Sequence, residues 1–261
     1  MKDKVVVVTG ASAGIGAALA RQLGEKGARP VLVARRAAEL QAAAAQAGPQ
    51  ALAITADVTV RAEVDKVVAA ALSRWGQIDV WVNNAGRGIS RLVSELTDDD
   101  FDDMMRVNVK SALYGMQAVL PHFRQRGSGH IINVSSMLGR VPFAVIRSAY
   151  SASKHALNAL TANLRMELAV SHPGIHVSTV HPGVVATDFG LNARHGGVDS
   201  RVLPGAQSVD EVAAVIAEVI ARPRADVYTR PGGQQVVVSY YAAEDMAAAE
   251  QSHSFVAPRP R

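Results

Sequence analysis

Two side chains that can move a proton lie four residues apart in the middle of the chain. Tyr150 and Lys154 belong to the segment Tyr-Ser-Ala-Ser-Lys, which opens a stretch with helical spacing, so both would lie on one helix face. A phenol with its ordinary pKa of about 10 is a poor base at neutral pH, but a neighbouring ammonium lowers that pKa. Tyr150 could then exchange a proton with an alcohol or carbonyl oxygen. The same spacing also occurs by chance on helix surfaces, where the two side chains have no chemical role.

A glycine-rich turn near the N-terminus has the setting of a phosphate-binding loop. Residues 9–16 read Thr-Gly-Ala-Ser-Ala-Gly-Ile-Gly, between an apolar run at 5–8 and a helix predicted over 17–26. Glycine is needed where a backbone turns sharply and approaches a ligand, and the N–H groups at a helix start attract anions. Because a strand and a helix flank the turn, we expect a pyrophosphate there rather than an ordinary tight turn.

The elements that must position these groups alternate regularly along the chain. Short β-branched runs without polar alternation are typical of strands buried on both faces, and the Ala-rich segments between them indicate helical crossovers. The sequence therefore predicts one α/β domain, a doubly wound parallel sheet of seven strands with helices on both faces. Thr59, Thr97 and Ser208 are predicted to start helices. The predicted strands lie at 5–8, 30–33, 52–55, 80–82, 130–134, 176–180 and 227–229.

Composition and charge exclude several classes of protein and site. The chain has 261 residues, 49% of them hydrophobic and 19% charged, which argues against disorder. With no cysteine it has no disulfide framework or thiolate site, and no His, Asp or Glu cluster has metal-site spacing, so we expect no metal. A net charge of +4 is small for a nucleic-acid-binding surface. Because no apolar run suits a signal peptide or a membrane span, we predict a cytoplasmic protein that binds neither nucleic acid nor membrane.

A series of motifs over roughly residues 5–190 resembles the short-chain dehydrogenase/reductase family. Besides the glycine turn and the Tyr-Lys pair, they include Asn-Asn-Ala-Gly at 83–86 and Pro-Gly-x-x-x-Thr at 182–187. The resemblance implies a Rossmann-type fold and hydride transfer between a nicotinamide dinucleotide and a small ketone, aldehyde or alcohol. Carbonyl reduction is the expected direction.

The resemblance also implies a role for each catalytic candidate. Tyr150 would be the acid/base, and Lys154 would tune it and bind ribose. Ser136, rather than Ser135, would polarise the substrate oxygen, and Asn108 would hold a water that links Lys154 to solvent. The side chains expected to face an apolar substrate of moderate size are Ser136, Leu138, Phe143, Ile146, Tyr150 and Phe189.

The residues after the second strand predict NADP (NADPH) as the cofactor. In the family pattern Ala34 stands where NAD-dependent members have an acid, and Arg35 stands where NADP-dependent members have a base. A guanidinium can pair with the 2′-phosphate, although two adjacent arginines can also be simple solvated charges. The cofactor contacts implied by the resemblance are Gly10, Ser12, Ala13, Gly14, Ile15, Gly16, Arg35, Arg36, Asp57, Val58, Asn84, Ala85, Gly86, Tyr150, Lys154, Pro182, Gly183, Val185 and Thr187.

Several features leave alternatives open. The chain could be a non-catalytic NADP-sensing regulatory protein, or an epimerase or dehydratase, although the C-terminal part is short for the latter. Arg87, Arg140 and Arg147 could meet an anionic substrate group or be solvated. His195 is expected to be solvated, in a possible flap at 191–207.

The C-terminal part has its own predictions. Residues 234–250 fit either a strand or a helix. We expect the NADP-binding domain to span 1–251 and 252–261 to be a poorly ordered tail. A homo-oligomer, dimer or tetramer, is the expected state.

Overall fold

A computed structural model describes residues 1–253, and within them the chain forms one parallel sheet with helices on both faces. The strand order is β3-β2-β1-β4-β5-β6-β7, and every adjacent pair is parallel. The prediction of a seven-stranded, doubly wound sheet is therefore confirmed. The strands are β1 (Val5–Thr9), β2 (Arg29–Ala34), β3 (Leu52–Thr55), β4 (Val80–Asn83), β5 (Gly129–Val134), β6 (Ile175–His181) and β7 (Asp226–Tyr228).

The helices follow the strands in the order that right-handed crossovers require. A π-helix at Arg106–Lys110 joins α4 to α5, and short 3-10 helices lie at Val93–Glu95, Met137–Gly139 and Ser200–Val202. The α-helices of the described residues are α1 (Gly14–Glu25), α2 (Ala37–Ala47), α3 (Arg61–Trp75), α4 (Asp98–Met105), α5 (Ser111–Arg126), α6 (Ser148–Ser171), α7 (Val209–Ala221), α8 (Gly233–Tyr241) and α9 (Met246–His253).

The apolar core lies in two layers, one on each face of the sheet. Residues of α1, α2 and α7 pack on one face, and residues of α3, α5 and α6 pack on the other. Alternate residues of β1 serve the two layers, Val6 and Val8 in the first and Val5 and Val7 in the second. This double burial explains why the residues of β1 before Thr9 are all apolar.

A polar network joins the two central strands within this core. The Asn83 amide donates to Asn133 Oδ1 at 2.8 Å, and the Asn133 amide donates to Thr161 Oγ1 at 2.8 Å. All three side chains are buried, so these bonds satisfy groups that would be costly to leave unpaired. The network holds α6 against the carboxyl ends of β4 and β5.

The strand order reverses between the parallel neighbours β1 and β4, and doubly wound folds bind ligands at the carboxyl edge of such a point. The chain leaves β1 towards β2 on one side and returns to β4 on the other, so the following loops separate and leave a crevice. The turns after β1, β2, β4, β5 and β6 meet along this edge. It carries the candidate site.

The helix starts at Thr97 and Ser208 are confirmed, and the one at Thr59 is wrong. Thr97 and Ser208 each form a capping box. The cap hydroxyl accepts from the N–H of the third helical residue, and the carboxylate of that residue accepts from the N–H of the cap residue. Helix α3 instead begins after Val60, and the Thr59 hydroxyl donates to Asp57 Oδ1 at 2.8 Å. The Thr59 hydroxyl oxygen, which a helix cap would use as an acceptor, instead accepts from Arg106 Nη1 at 2.9 Å.

The C-terminal part settles the open choice in favour of helix. Helices α8 and α9 span most of residues 234–250, and β-branched Val236–Val238 lie within α8. Of the predicted tail at 252–261, residues 254–261 lie outside the described residues. No helix within residues 1–253 combines the length and the apolarity that a bilayer crossing needs.

Candidate active site

The glycine turn after β1 packs against the loop after β4. Gly10 has φ +66°, and a Cβ there would lie 2.8 Å from the Ala85 Cα. A Cβ on Gly16 would lie 2.6 Å from the Gly10 carbonyl oxygen. A Cβ on Gly14 would lie 3.4 Å from the Thr187 methyl group, so the turn also borders the loop after β6. Glycine at positions 10 and 16 therefore lets the turn pack directly against neighbouring backbone, where a Cβ would collide.

Hydrogen bonds hold the ends of β1 and β4 together. The Thr9 hydroxyl accepts from the backbone N–H groups of Asn84 at 3.0 Å and Ala85 at 3.1 Å. The Asn84 amide in turn donates to the Thr9 carbonyl at 2.9 Å. On the other side of the crevice, the Pro182 carbonyl accepts from the Met137 N–H at 2.8 Å and so ties the loop after β6 to the loop after β5.

The end of β2 brings the predicted phosphate-binding residues together. Arg36 Nη2 donates to Ser12 Oγ at 3.0 Å, although the two residues are 24 positions apart. Arg35 is exposed beyond the strand, and its charge contributes to lowering the pKa of Asp57. Burial raises the pKa of Asp57, but the hydrogen bonds from Thr59 and the charges of Arg35 and Arg106 together lower it. The arrangement is cationic, open to solvent and adjacent to the glycine turn.

Tyr150 and Lys154 lie on the first turns of α6, both buried, at the carboxyl end of β5. The Lys154 ammonium donates to the Val134 carbonyl at 2.9 Å and lies 5.7 Å from the centre of the Tyr150 ring. The Phe189 ring packs against the Tyr150 ring with centroids 5.4 Å apart. The predicted pair therefore lies inside the fold and is not a surface coincidence.

The pKa of Tyr150 differs from the sequence expectation. Burial raises it above its usual value and outweighs the hydrogen bond with Ser136 and the charge of Arg147, which lower it. The charge that acts to lower the pKa of Tyr150 is that of Arg147. Burial also lowers the pKa of Lys154, to about 8, so the lysine itself is partly destabilised as a cation.

Ser136 lies beside the tyrosine at the end of β5. Its hydroxyl accepts from the Leu138 N–H at 3.1 Å and caps the short 3-10 helix at Met137–Gly139. Ser135, the alternative, turns its hydroxyl towards the Lys154 carbonyl at 3.5 Å. The preference for Ser136 is consistent with its hydrogen bond to Tyr150.

Asn108 lies in the π-helix between α4 and α5. Its amide donates to the Arg87 carbonyl at 2.9 Å and to Ser153 Oγ at 3.0 Å, and its Oδ1 accepts from the Arg87 N–H at 2.9 Å. A Cβ on Gly86 would lie 3.1 Å from Asn108 Oδ1 and 3.6 Å from Lys154 Nζ. Both groups therefore line the space beside Gly86, and the wider helical turn presents Asn108 to it.

The predicted substrate-facing residues divide into two groups. Leu138 and Phe189 pack on the buried cluster that contains Tyr150, and the half-buried Ile146 accepts from the Arg91 N–H through its carbonyl at 2.8 Å. Phe143 instead packs against Tyr240 of α8, with ring centroids 5.4 Å apart. The Phe143 ring therefore contacts α8, the segment for which the sequence allowed either a strand or a helix.

His195 is exposed, as expected, and it also has a partner. His195 Nε2 lies 2.7 Å from Asp100 Oδ1, and Arg194 also pairs with that buried carboxylate. Burial raises the pKa of the Asp100 carboxyl, but the hydrogen bonds from His195, Thr97 and Arg194 lower it well below its usual value. The Asp100 carboxylate is therefore charged. Within residues 191–207, Arg194 and His195 thus bind the start of α4.

A hydrogen-bonded pair behind Ser136, formed by a buried histidine and an exposed aspartate, was not anticipated from the sequence. His181 is fully buried at the end of β6, with Nε2 3.1 Å from Asp226 Oδ1 and Nδ1 3.4 Å from the Ser136 carbonyl. Burial raises the pKa of Asp226, but the opposing effects, led by the His181 hydrogen bond and the Arg140 charge, outweigh burial and bring the pKa to about 2. A histidine directly before the Pro-Gly motif was the available signal; its partner, from β7, was not foreseeable locally.

The buried lysine predicts a pH dependence of stability. In the unfolded chain Lys154 has a pKa of about 10.5, so between that value and the folded value of about 8 the unfolded state binds more protons. Stability therefore rises with pH in that window. For the cofactor-free protein we expect the free energy of unfolding to rise by about 2 kcal/mol between pH 8 and pH 10, relative to Lys154→Met.

The measurement is urea unfolding followed by circular dichroism at intervals across that pH range. Lys66→Met, at an exposed lysine of α3, is the matched control and should keep the wild-type slope. A Lys154→Met protein whose stability follows the same pH curve as the wild type would contradict the assignment.

Known proteins resemble this chain over most of its length. The family model described as short chain dehydrogenase matches residues 4–196. An uncharacterized oxidoreductase from Staphylococcus epidermidis is 40% identical over 196 residues, which are 73% of this chain and 84% of the relative.

Two solved structures share the fold. The alcohol dehydrogenase of the archaeon Thermococcus sibiricus, complexed with 5-hydroxy-NADP, superimposes with a TM-score of 0.75 at 28% identity, covering 87% of this chain and 95% of that one. The 3-ketoacyl-(acyl-carrier-protein) reductase of Brucella melitensis, complexed with NADH, gives 0.79 at 28% identity and covers 87% and 96%. With the family match and the crevice geometry, these likenesses lead to one conclusion: the chain belongs to the short-chain dehydrogenase/reductase family of oxidoreductases.

Proposed function

We propose that the protein is an NADP(H)-dependent oxidoreductase that interconverts a ketone or aldehyde and the corresponding alcohol on a largely apolar small molecule. The observation that carries the proposal is the grouping of Ser136, Tyr150 and Lys154, all buried, at the sheet edge that also holds the glycine turn. Reduction of the carbonyl is the proposed direction.

The start of α1 fits a pyrophosphate. Helix α1 begins after Ala13 without a side-chain cap and without an acidic residue in its first turn. Its first N–H groups therefore have no side-chain acceptor, and the positive end of the helix dipole has no carboxylate beside it. When bound there, a nicotinamide dinucleotide would supply or accept the hydride. The cofactor contacts predicted from the sequence, which run from Gly10 in the glycine turn to Thr187 after β6, would hold the dinucleotide along the crevice.

The residues after β2 support NADP over NAD. Ser12 and Arg36 are already joined by a hydrogen bond, and Arg35 is exposed beside them, so three donors surround the position expected for a 2′-phosphate. Glu39 is the nearby acid, 3.5 Å from Arg36 Nη1, and Ala34 offers no carboxylate to a ribose hydroxyl. Arginine forks suit a phosphate better than a hydroxyl.

The chain's own groups would handle the proton. Tyr150 would donate it to the substrate oxygen in reduction, and the Ser136 hydroxyl would hydrogen-bond that oxygen as charge develops. Lys154 would stabilise the phenolate left behind and bind ribose, once its ammonium leaves the Val134 carbonyl or shares it. Asn108 would relay the replacement proton through water, since its Oδ1 borders the same space beside Gly86 as Lys154.

A cytoplasmic location, a homo-oligomeric state of two or four subunits, and a domain spanning 1–251 stay predictions. So does the absence of nucleic-acid and membrane partners.

The function is tested by mixing purified protein with NADPH and a panel of aliphatic and aryl ketones and aldehydes. We expect NADPH to bind in a 1:1 ratio by calorimetry, and its absorbance at 340 nm to fall with at least one apolar carbonyl compound while the alcohol accumulates. Tight NADPH binding with no turnover over a broad panel would contradict the enzyme assignment and favour a non-catalytic NADP sensor. The catalytic variants that sharpen this test are treated in the Discussion.

A further inference from the structure

Arg147 places a positive charge where the fold offers nothing to balance it. It is the residue immediately before α6, a helix of 24 residues with no acidic residue in its first turn. The amino end of a helix carries a partial positive charge, so a cation at this position is electrostatically unfavourable. An arginine here calls for a compensating anion.

The described residues do not supply that anion. No carboxylate oxygen of residues 1–253 lies within 4.0 Å of the Arg147 guanidinium, whose Nη1 donates to the Ile89 carbonyl at 3.1 Å. The other two arginines flagged with it in the sequence are paired, Arg87 with Asp103 at 3.3 Å and Arg140 with Asp226 at 2.8 Å. Burial lowers the pKa of Arg147, so its charge is also partly stripped of water. Among these three, Arg147 is the cation left for a ligand.

The guanidinium lies next to the proposed reacting groups. A Cβ on Gly88 would lie 2.9 Å from Phe189 Cε1 and 3.0 Å from Arg147 Nη1, so ring and guanidinium border the same glycine. Phe189 in turn packs on the Tyr150 ring. The charge of Arg147 also acts on the Tyr150 hydroxyl, as the direction of its effect on the tyrosine pKa shows.

A buried hydroxyl without a hydrogen-bond partner lies close to the Arg147 guanidinium. Ser90 Oγ is buried and has no hydrogen-bond partner among the described residues. A Cβ on Gly197 would lie 2.9 Å from Ser90 Oγ and 3.1 Å from Arg147 Nη2, with the Gly190 carbonyl at 2.6 Å. Gly197 itself is exposed, so this corner of the site borders solvent. A buried hydroxyl is rarely left unpaired unless a water or ligand completes it.

We propose that Arg147 and Ser90 bind a carboxylate group of the substrate, so that the protein acts on carbonyl compounds or alcohols that carry a carboxylate on an apolar body. The inference rests on the proposed function and narrows its substrate class. A planar guanidinium and one hydroxyl match the two oxygens of a carboxylate. The half-buried Leu138, Ile146 and Phe189 would contact the apolar body.

The test is calorimetric binding of benzoate and its uncharged isostere benzamide to the protein saturated with NADP+, which keeps the probes out of the phosphate-binding residues. We expect benzoate to bind the wild type at least about tenfold more tightly than benzamide, because the charge-assisted bonds are absent in the amide. Arg147→Met should remove the preference, and Ser90→Ala should weaken benzoate binding several-fold. Arg87→Met, an exposed and paired arginine, should keep it.

Equal binding of the two probes by the wild type, binding of neither, or a preference that survives in Arg147→Met overturns the inference. If Arg147→Met does not fold, the benzoate affinity of Ser90→Ala, a smaller change, tests the inference instead. NADP+ binding is measured first, and its failure counts against the proposed function alone. The same probes titrated into the cofactor-free protein then still decide the role of Arg147.

Discussion

Replacing Tyr150 by phenylalanine is expected to lower kcat for carbonyl reduction by about two to four orders of magnitude, the usual contribution of a positioned acid/base. The phenol is 7% exposed, lies between Ser136 and the Phe189 ring, and is the proposed proton donor. Because only the hydroxyl is removed, the ring contact and the packing of α6 should remain. The loss should therefore fall on kcat, with the dissociation constant of NADPH changed by less than about threefold.

The measurement combines initial rates at saturating NADPH with calorimetry of NADPH binding. Tyr114→Phe is the matched control, since that tyrosine lies on α5 under the Arg61 guanidinium, 4.3 Å from its ring centre, and should leave the rate unchanged. If Tyr150→Phe retains more than about a tenth of wild-type kcat, another group supplies the proton and the proposed mechanism is wrong.

Replacing Ala34 by aspartate is expected to reverse the cofactor preference. We expect the wild type to favour NADPH over NADH by about a hundredfold in kcat/KM, and Ala34→Asp to favour NADH. A carboxylate at the end of β2 would accept hydrogen bonds from the ribose hydroxyls and would face the 2′-phosphate. Two like charges about 4 Å apart near a protein surface repel by about 4 kcal/mol, enough for a thousandfold effect.

Arg35→Ala separates the two contributions in the same assay. It should weaken NADPH binding and leave NADH binding within about twofold, because NADH has no 2′-phosphate to pair with the guanidinium. Arg74→Ala, at an arginine stacked over Trp75 on α3, is the control for loss of a surface charge. An NADPH preference that is the same in the wild type and in Ala34→Asp would disprove the assignment of this position.

The sequence predicted the sheet well because each strand carries its own signal. The β1 run is buried on both faces and so contains only apolar residues before Thr9, and the same holds for the centre of β5. Errors arose where a side chain found a distant partner. Thr59 has the chemistry of a helix cap, but its hydroxyl oxygen accepts from Arg106, 47 positions along the chain.

The candidate site shows the same division. Spacing along one helix was enough to pair Tyr150 with Lys154, and a strand–turn–helix context was enough to identify the glycine turn. The pKa of Tyr150 was misjudged because burial, which no local pattern reports, raises it more than its neighbours lower it. His181 was missed because its partner Asp226 comes from a strand 45 residues later.

By itself the sequence determined the fold class, the family and the identity of the candidate acid/base pair, since these depend on residue types at short, regular spacings. Only the tertiary structure decided which charges are balanced. Arg87, Arg140 and Arg147 look alike in the sequence, yet Asp103 and Asp226 approach the first two and no described carboxylate approaches the third. The reason is physical: an ion pair forms between elements that the fold brings together, and the energy of a charge depends on the partners and the water around it.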